Sequence, residues 1–406
     1  MQDNDVITNK ERIKILAILT GAYFFSGFAA LCFAPLLPFI QDDLSLNKAG
    51  LGLFISSLYI GSIAAGIPTG RLADRWGVPK TISLGLLVLG LSLGIICFIP
   101  FFSLIILFVF IAGLGFGAIN PATSKGVIVW FTAQWRATAM AIKQMGFTAG
   151  TMVTAIILPV VAEALGWRWS IFIVSILVIL YAAISICIYP ASIQKVVKKL
   201  KVSQARIREE KPAWKNKQII LWSILCIFYA IVQFSGTAYM AIYMVDYFSF
   251  TKVMAGIFLG ITQGGGALGR VLWGRISDLF FSEQRDKEII AIGFIAALMC
   301  ILLGVISPET HYIIVGIIAA IFGFTAIGYN ALFMTLIGEI AGPEKAGQAS
   351  GFAVTIAYCG VVIGPPLFGL AVDHFGYNIS WTGLGGMLIM ALIIAMILMK
   401  KINLRD

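Results

Sequence analysis

Three cationic side chains, Lys125, Lys143 and Arg270, fall inside long apolar runs of this 406-residue chain. In the middle of a bilayer a charged side chain costs about 2.5–3.5 kcal/mol even on the lenient insertion scale, and arginine cannot escape by losing its proton. Counter-charge is hard to find. The 19 acidic residues all fall in termini, connections or helix ends, Glu288 among them, and none in the middle of an apolar run. Buried cations without carboxylates describe a wet cavity that waits for an anion. A guanidinium fork there would hold a carboxylate at two points.

Arg270 sits in QGGGALGRVLWGRISD, residues 263–278, one helical turn before the turn signal Gly274. It shares its helical phase with Gln263 and is flanked by Gly266 and Gly269, which permit close approach by a ligand or a neighbouring helix. Lys143, in IKQMGF, has Gln144 beside it and Phe147 one turn on. As the seventh residue of its run it lies about 10 Å from the start, where it either meets the anion, gives up a proton, or snorkels to the surface. Lys125 is nearer a helix end and snorkels more easily. Asn120 and Asn330 are expected to face the cavity, because an amide facing lipid is costly. Tyr329 borders Asn330, and Tyr23, Tyr229 and Gln233 are further candidates, equally well explained by helix packing.

The elements that must position these residues follow from composition. The chain is 60% hydrophobic and 12% charged, with a mean hydropathy of +0.96. A soluble domain carries about 25% charged residues. Apolar segments run over 15–40, 49–70, 81–100, 104–130, 137–162, 169–189, 219–245, 253–274, 288–306, 312–337, 347–372 and 378–399. Each is long enough, at about 1.5 Å per residue, to cross a ~30 Å hydrocarbon core. The expected fold is an all-α membrane protein of twelve transmembrane helices. The first run is too long for a signal-peptide core and reads as the first of them.

Of the 29 Lys and Arg, 23 lie in the termini and alternate connections, against three (Lys48, Arg168, Lys252) on the other side. By the positive-inside rule both termini are cytoplasmic, and the net charge of +10 is topological rather than a nucleic-acid footprint. The six cysteines are single packing residues, the two histidines fall in connections, and no metal or cofactor motif occurs. An intramembrane enzyme would need a nucleophile–base pair or metal ligands within the helices, and none is present.

The only long polar stretch, 190–218, separates an N-terminal bundle (1–189) from a C-terminal bundle (219–406). The halves repeat. GLFISSLYIGSIAAGIPTGRLAD from Gly52 aligns with GIFLGITQGGGALGRVLWGRISD from Gly256, pairing Asp74 with Asp278 and Gly66 with Arg270. AINPATSKGVIVW aligns with GYNALFMTLIGEI, pairing Asn120 with Asn330. Six plus six helices in parallel repeats is a transporter architecture, with the substrate near mid-membrane where the halves meet.

Over essentially its whole length the chain resembles the major facilitator superfamily. GRLADRWGVPK matches that family's G-x-L-x-D-R-x-G loop at Gly70, Leu72, Asp74, Arg75 and Gly77, with Val78 where a basic residue is common. The resemblance implies two pseudo-symmetric bundles and a gating role for this loop and its echo at Asp278, Asp74 capping a helix while Arg75 meets a carboxylate. Helix 4 (AGLGFGAIN) lacks the arginine of many proton-coupled members, and helix 5 lacks the Gly-Pro signature of drug antiporters. GVVIGPPLFG stands in helix 11 instead.

Locally, Arg270 resembles the helix 8 arginine with which the monocarboxylate and oxalate porter branches bind substrate carboxylate. Gly266 stands where the monocarboxylate branch has an acidic partner, and TGAYFFSGF lacks its Trp-Gly signature.

The expected function is therefore secondary active transport of a small, monocarboxylate-like organic anion across the cytoplasmic membrane. It works by alternating access, with proton coupling or anion exchange, and as a monomer. The other transporter reading is efflux of hydrophobic compounds through an apolar cavity from which the cations point away.

Overall fold

The computed structural model describes residues 9–131, 133–188, 216–280, 285–342 and 345–403. Among the described residues every regular element is helical. The first seven helices are α1 (Asn9–Ala30), α2 (Phe33–Leu44), α3 (Lys48–Trp76), α4 (Val78–Ile96), α5 (Phe102–Trp130), α6 (Ala133–Leu165) and α7 (Trp167–Ile188). After the linker, almost all of which lies outside the described residues, come α8 (Lys217–Asp246), α9 (Lys252–Phe280), α10 (Arg285–Val305), α11 (Tyr312–Ala326), α12 (Asn330–Ala341) and α13 (Ala346–Asn403). Among the described residues, ten helical stretches are long and apolar enough to cross a membrane. Helix α9 is not among them, because the Gly264–Gly266 run, Gln263, Arg270 and Arg275 dilute its apolar content.

Several expected boundaries move. The first span is broken at Leu31–Cys32, just ahead of Pro35, so α1 and α2 share it. The span expected at 312–337 divides around Ile327–Tyr329 into α11 and α12. The last two spans run on as α13, interrupted only at Gly376, whose φ of 77° is open to glycine at little cost. Neither Gly70 nor Gly274 ends its helix: α3 continues to Trp76 and α9 to Phe280. An isolated glycine weakens a helix by only about 1 kcal/mol. The actual turn after α3 is at Gly77, with φ 90°, followed by Pro79 in the first turn of α4.

Packing groups the chain into two units that do not coincide with the two sequence halves. Unit 1 comprises Met1–Cys32, Ile60–Val153 and Arg168–Glu209; unit 2 comprises Phe33–Tyr59, Thr154–Trp167 and Glu210–Asp406.

The internal repeat is visible in how glycines admit a neighbouring helix. In unit 1, a Cβ at Gly61 would collide with the Phe110 carbonyl; in unit 2, one at the repeat-related Gly265 would collide with that of Ala320. The same correspondence joins Gly150, against the Phe24 carbonyl, to Gly360, against that of Ile227. Close approach of backbones is how helices associate where lipid removes the hydrophobic drive between them.

Within unit 2, α8 is stapled to α10 by tyrosines. Tyr229 and Tyr243 donate to the carbonyls of Ile289 and Leu303, each at 2.5 Å. Donors and acceptors are spaced equally along the two helices, so α8 and α10 run parallel, as alternate spans must.

The segment 33–59 packs on the C-terminal helices of the same unit. Ser56 donates to the Val362 carbonyl at 2.6 Å, Gly52 lies against the Pro365–Pro366 peptide, and Tyr59 meets Phe234 and Tyr358 edge-on.

Candidate functional site

Helix α6 begins four residues earlier than hydropathy indicates, which places Lys143 about 15 Å along it. Its side chain is 0% exposed. The ammonium Nζ donates to Asn120 Oδ1 at 2.8 Å and to Ser124 Oγ at 2.9 Å, both on α5. The Tyr23 ring of α1 covers it, with the centroid 4.4 Å from Nζ. Glycines set this distance: Gly146 and Gly150 press α6 onto α1 at Thr20 and Phe24. Phe147, one turn beyond Lys143, packs on Tyr23 at 5.2 Å and Phe116 at 6.2 Å.

Lys143 therefore does not snorkel. Two hydrogen-bond acceptors and a π face hold it, and among the described residues no carboxylate lies within ion-pair distance of it. Asn120 is exposed and forms the open side of the cluster. Gln144 is also exposed, about 100° further round α6, and does not join Lys143. Ser124 was not a candidate from sequence. It stands one turn after Asn120 on the same face of α5, and the repeat pairing that selected Asn120 gives no reason to look there.

Lys125 points elsewhere. Its Nζ donates to the Ala73 carbonyl at 2.9 Å, in the last turn of α3, where the helix dipole favours a cation. Arg75 is exposed, and the side chains of Asp74 and Asp278 and the surroundings of Gly70 lie outside what is described.

In unit 2, Arg270 is half-buried on α9. The glycines beside it serve a neighbouring helix: Gly266 meets Ile327, and Gly269 meets the Phe324 carbonyl and Gly328. Trp273 donates to the same Phe324 carbonyl at 3.0 Å. The repeat-related Gly66 has open space where a side chain would be.

Asn330 donates from Nδ2 to Gln233 Oε1 at 2.9 Å and to the Ile327 carbonyl at 3.3 Å. Tyr329, expected to border a cavity, is 2% exposed, its ring tilted against that of Tyr229 with centroids 4.4 Å apart and its hydroxyl 3.6 Å from Cys226 Sγ. It packs inside the helices, within electrostatic range of Arg270. Gln263 is likewise buried. Glu288, expected at a helix edge, is 2% exposed in the first turn of α10.

Two of the connections expected opposite the basic side, those of Lys48 and Lys252, make ion pairs within unit 2. Lys48 pairs with Asp246 and donates to Gln41 Oε1 at 2.6 Å. Lys252 pairs with Asp42 at 2.5 Å and lies over the Phe39 ring.

Comparison with known proteins gives the same architecture. The family model described as Major Facilitator Superfamily matches residues 19–359. The hexuronate transporter of Bacillus subtilis (strain 168) is 23% identical over 384 residues, 91% of this chain and 90% of that protein. The gentisate transporter of Corynebacterium glutamicum is 24% identical over 388 residues, 92% of this chain and 84% of that protein. Among solved structures, a bacterial homolog of the human lysosomal transporter Spinster superposes with a TM-score of 0.77 at 16% identity, covering 96% of this chain and 97% of that one.

Proposed function

This chain belongs to the Major Facilitator Superfamily, and from that premise we propose that it is a secondary transporter of a small organic anion. It crosses the cytoplasmic membrane twelve times with both termini inside, as bundles 1–189 and 219–406 joined by the linker 190–218, and works by alternating access as a monomer. The observation that carries the reading is Lys143: an ammonium sealed in the helices among neutral groups, with the exposed amide of Asn120 beside it. An anion arriving at Asn120 supplies the missing counter-charge. Arg270 is the second cationic station, with Asn330 and Gln233 on neighbouring helices of its own unit. The relatives named for hexuronate and gentisate, both carboxylates, support a carboxylate as the cargo. Asp74, Arg75 and Asp278 belong to the cytoplasmic gate, with Gly77 supplying the turn.

The test is uptake of radiolabelled glucuronate and gentisate by the purified chain in proteoliposomes, with Lys143→Ala and Arg270→Ala alongside. Uptake by the wild type and its loss in both variants is the expected result. Undiminished uptake by both variants would end the anion-site reading. Export of hydrophobic cations indifferent to either substitution would favour the efflux alternative.

A further inference from the structure

The Lys143 cluster has a property that anion binding alone does not require. An ammonium presents three N–H donors, and the cage has three places for them: Asn120 Oδ1 at 2.8 Å, Ser124 Oγ at 2.9 Å and the Tyr23 face. A neutral amine presents two N–H donors and a lone pair that needs a donor of its own. The Asn120 oxygen can only accept, whereas a serine hydroxyl both donates and accepts. In the structure the Ser124 hydroxyl donates to Asn120 Oδ1 at 3.4 Å while accepting from Lys143. Rotating that one O–H toward Nζ satisfies the lone pair and leaves Asn120 Oδ1 for a remaining N–H. The same cage thus fits lysine with or without its proton, without moving a heavy atom.

Among the described residues no carboxylate within ion-pair distance pins the charge in place. From α1 the titratable group facing Nζ is Tyr23, whose ring face rather than hydroxyl covers it; Glu11, Arg12 and Lys14 stand more than two turns away along that helix. From α5 the facing groups are Asn120 and Ser124, neither of which titrates, and Lys125 is turned to Ala73. On α6 itself, Arg136 is two turns back and engages the Phe131 carbonyl at 2.9 Å.

We propose that Lys143 is the proton-coupling group of the transport cycle and that Ser124 is the hydroxyl that lets it exist in both states. This rests on the organic-anion reading. An anion and a proton are taken up together, the proton residing on Lys143 while the anion neutralises it. When the anion leaves, the ammonium loses its counter-charge and the proton leaves with it. One proton then accompanies each negative charge, which makes the cycle for a monoanion an electroneutral symport.

The experiment compares two modes in proteoliposomes of the full chain, with labelled glucuronate and gentisate as probes and an internal pH dye reporting protons. One mode is exchange at equal pH; the other is net accumulation driven by an outside-acid gradient. For one proton per substrate, a gradient of about one pH unit drives about tenfold accumulation. Wild type is expected to accumulate and to acidify the lumen as it does so.

Lys143→Arg, which cannot give up its proton, and Ser124→Ala, which lacks the donor for the amine, are expected to lower the ratio of gradient-driven uptake to exchange to near one, whatever their exchange rates. Ser124→Thr, which keeps a hydroxyl, is expected to restore the ratio. Where Lys143→Arg exchanges too slowly to measure, Ser124→Ala carries the comparison. Wild-type exchange without gradient-driven accumulation, or a wild-type ratio in Ser124→Ala, would overturn the coupling role while leaving organic-anion transport standing. Absence of transport in both modes would remove the functional reading itself.

Discussion

The carboxylate of Asp373 accepts hydrogen bonds from the backbone N–H groups of Lys48 (2.9 Å) and Ala49 (3.0 Å), so a residue in α13 caps the start of α3. The first N–H groups of a helix have no partner within it, and a carboxylate there meets both the donors and the positive end of the dipole. Lys48 is tied on its other side as well: Tyr239 donates to its carbonyl at 2.5 Å, and its ammonium pairs with Asp246, which also accepts from Tyr377 at 2.7 Å. Replacing Asp373 by Ala is expected to destabilise the fold by about 1 kcal/mol, the usual worth of an N-terminal cap. Thermal unfolding in detergent measures it, and Asp373→Asn should recover much of the loss.

The Lys252–Asp42 pair is partly exposed, and pairs of that kind contribute about 0–1 kcal/mol. Either Lys252→Asp or Asp42→Lys alone should lower the unfolding temperature slightly. The double exchange, which restores opposite charges at the same positions, should return it toward wild type. A thermal double-mutant cycle reads the coupling directly.

Gly61 and Gly265 sit where a neighbouring carbonyl leaves no room for a side chain. Leucine at either position is expected to cost about 1–3 kcal/mol through forced separation of the helices. The readout is the yield of monodisperse protein and its unfolding temperature. Because the two positions are related by the repeat, the losses should be similar. At Gly66, where the structure leaves open space, a small side chain should be tolerated.

Arg270→Lys keeps the charge but loses the planar fork. If the fork holds a carboxylate at two points, the apparent affinity for glucuronate or gentisate should fall by about tenfold or more, corresponding to about 1.4 kcal/mol. Concentration dependence of uptake in proteoliposomes checks it. Lys125→Gln, which loses only a contact to the end of α3 among those described above, should leave that affinity near wild type.

Much of this protein is written along the chain. Lengths of apolar residues specify spanning helices because lipid leaves the backbone no other way to satisfy its hydrogen bonds. The spacing between Gly52 and Gly256 sets out the repeat, and the structure repeats it in the paired glycine contacts. The scarcity of mid-helix carboxylates was legible too, and with it the suspicion that Lys143 and Arg270 are special. Where helices end was read less well. Gly70 and Gly274 look like stops, but a single glycine is a weak breaker, and the turn came only where Gly77 adopts a positive φ.

Partnership between helices was decided by tertiary structure alone. Sequence placed Asn120, Lys143 and Tyr23 on three different spans, and nothing in their spacing says that they meet. Glycine-lined contacts bring those spans within hydrogen-bonding reach, which seats the ammonium under Tyr23 and adds Ser124 to the cluster. The same packing took Tyr329 out of the open site and into a contact with Tyr229 and Cys226, and buried Glu288. Periodicity along one helix reports which face is apolar. Only the rotation and closeness of neighbouring helices determine which polar groups share a face.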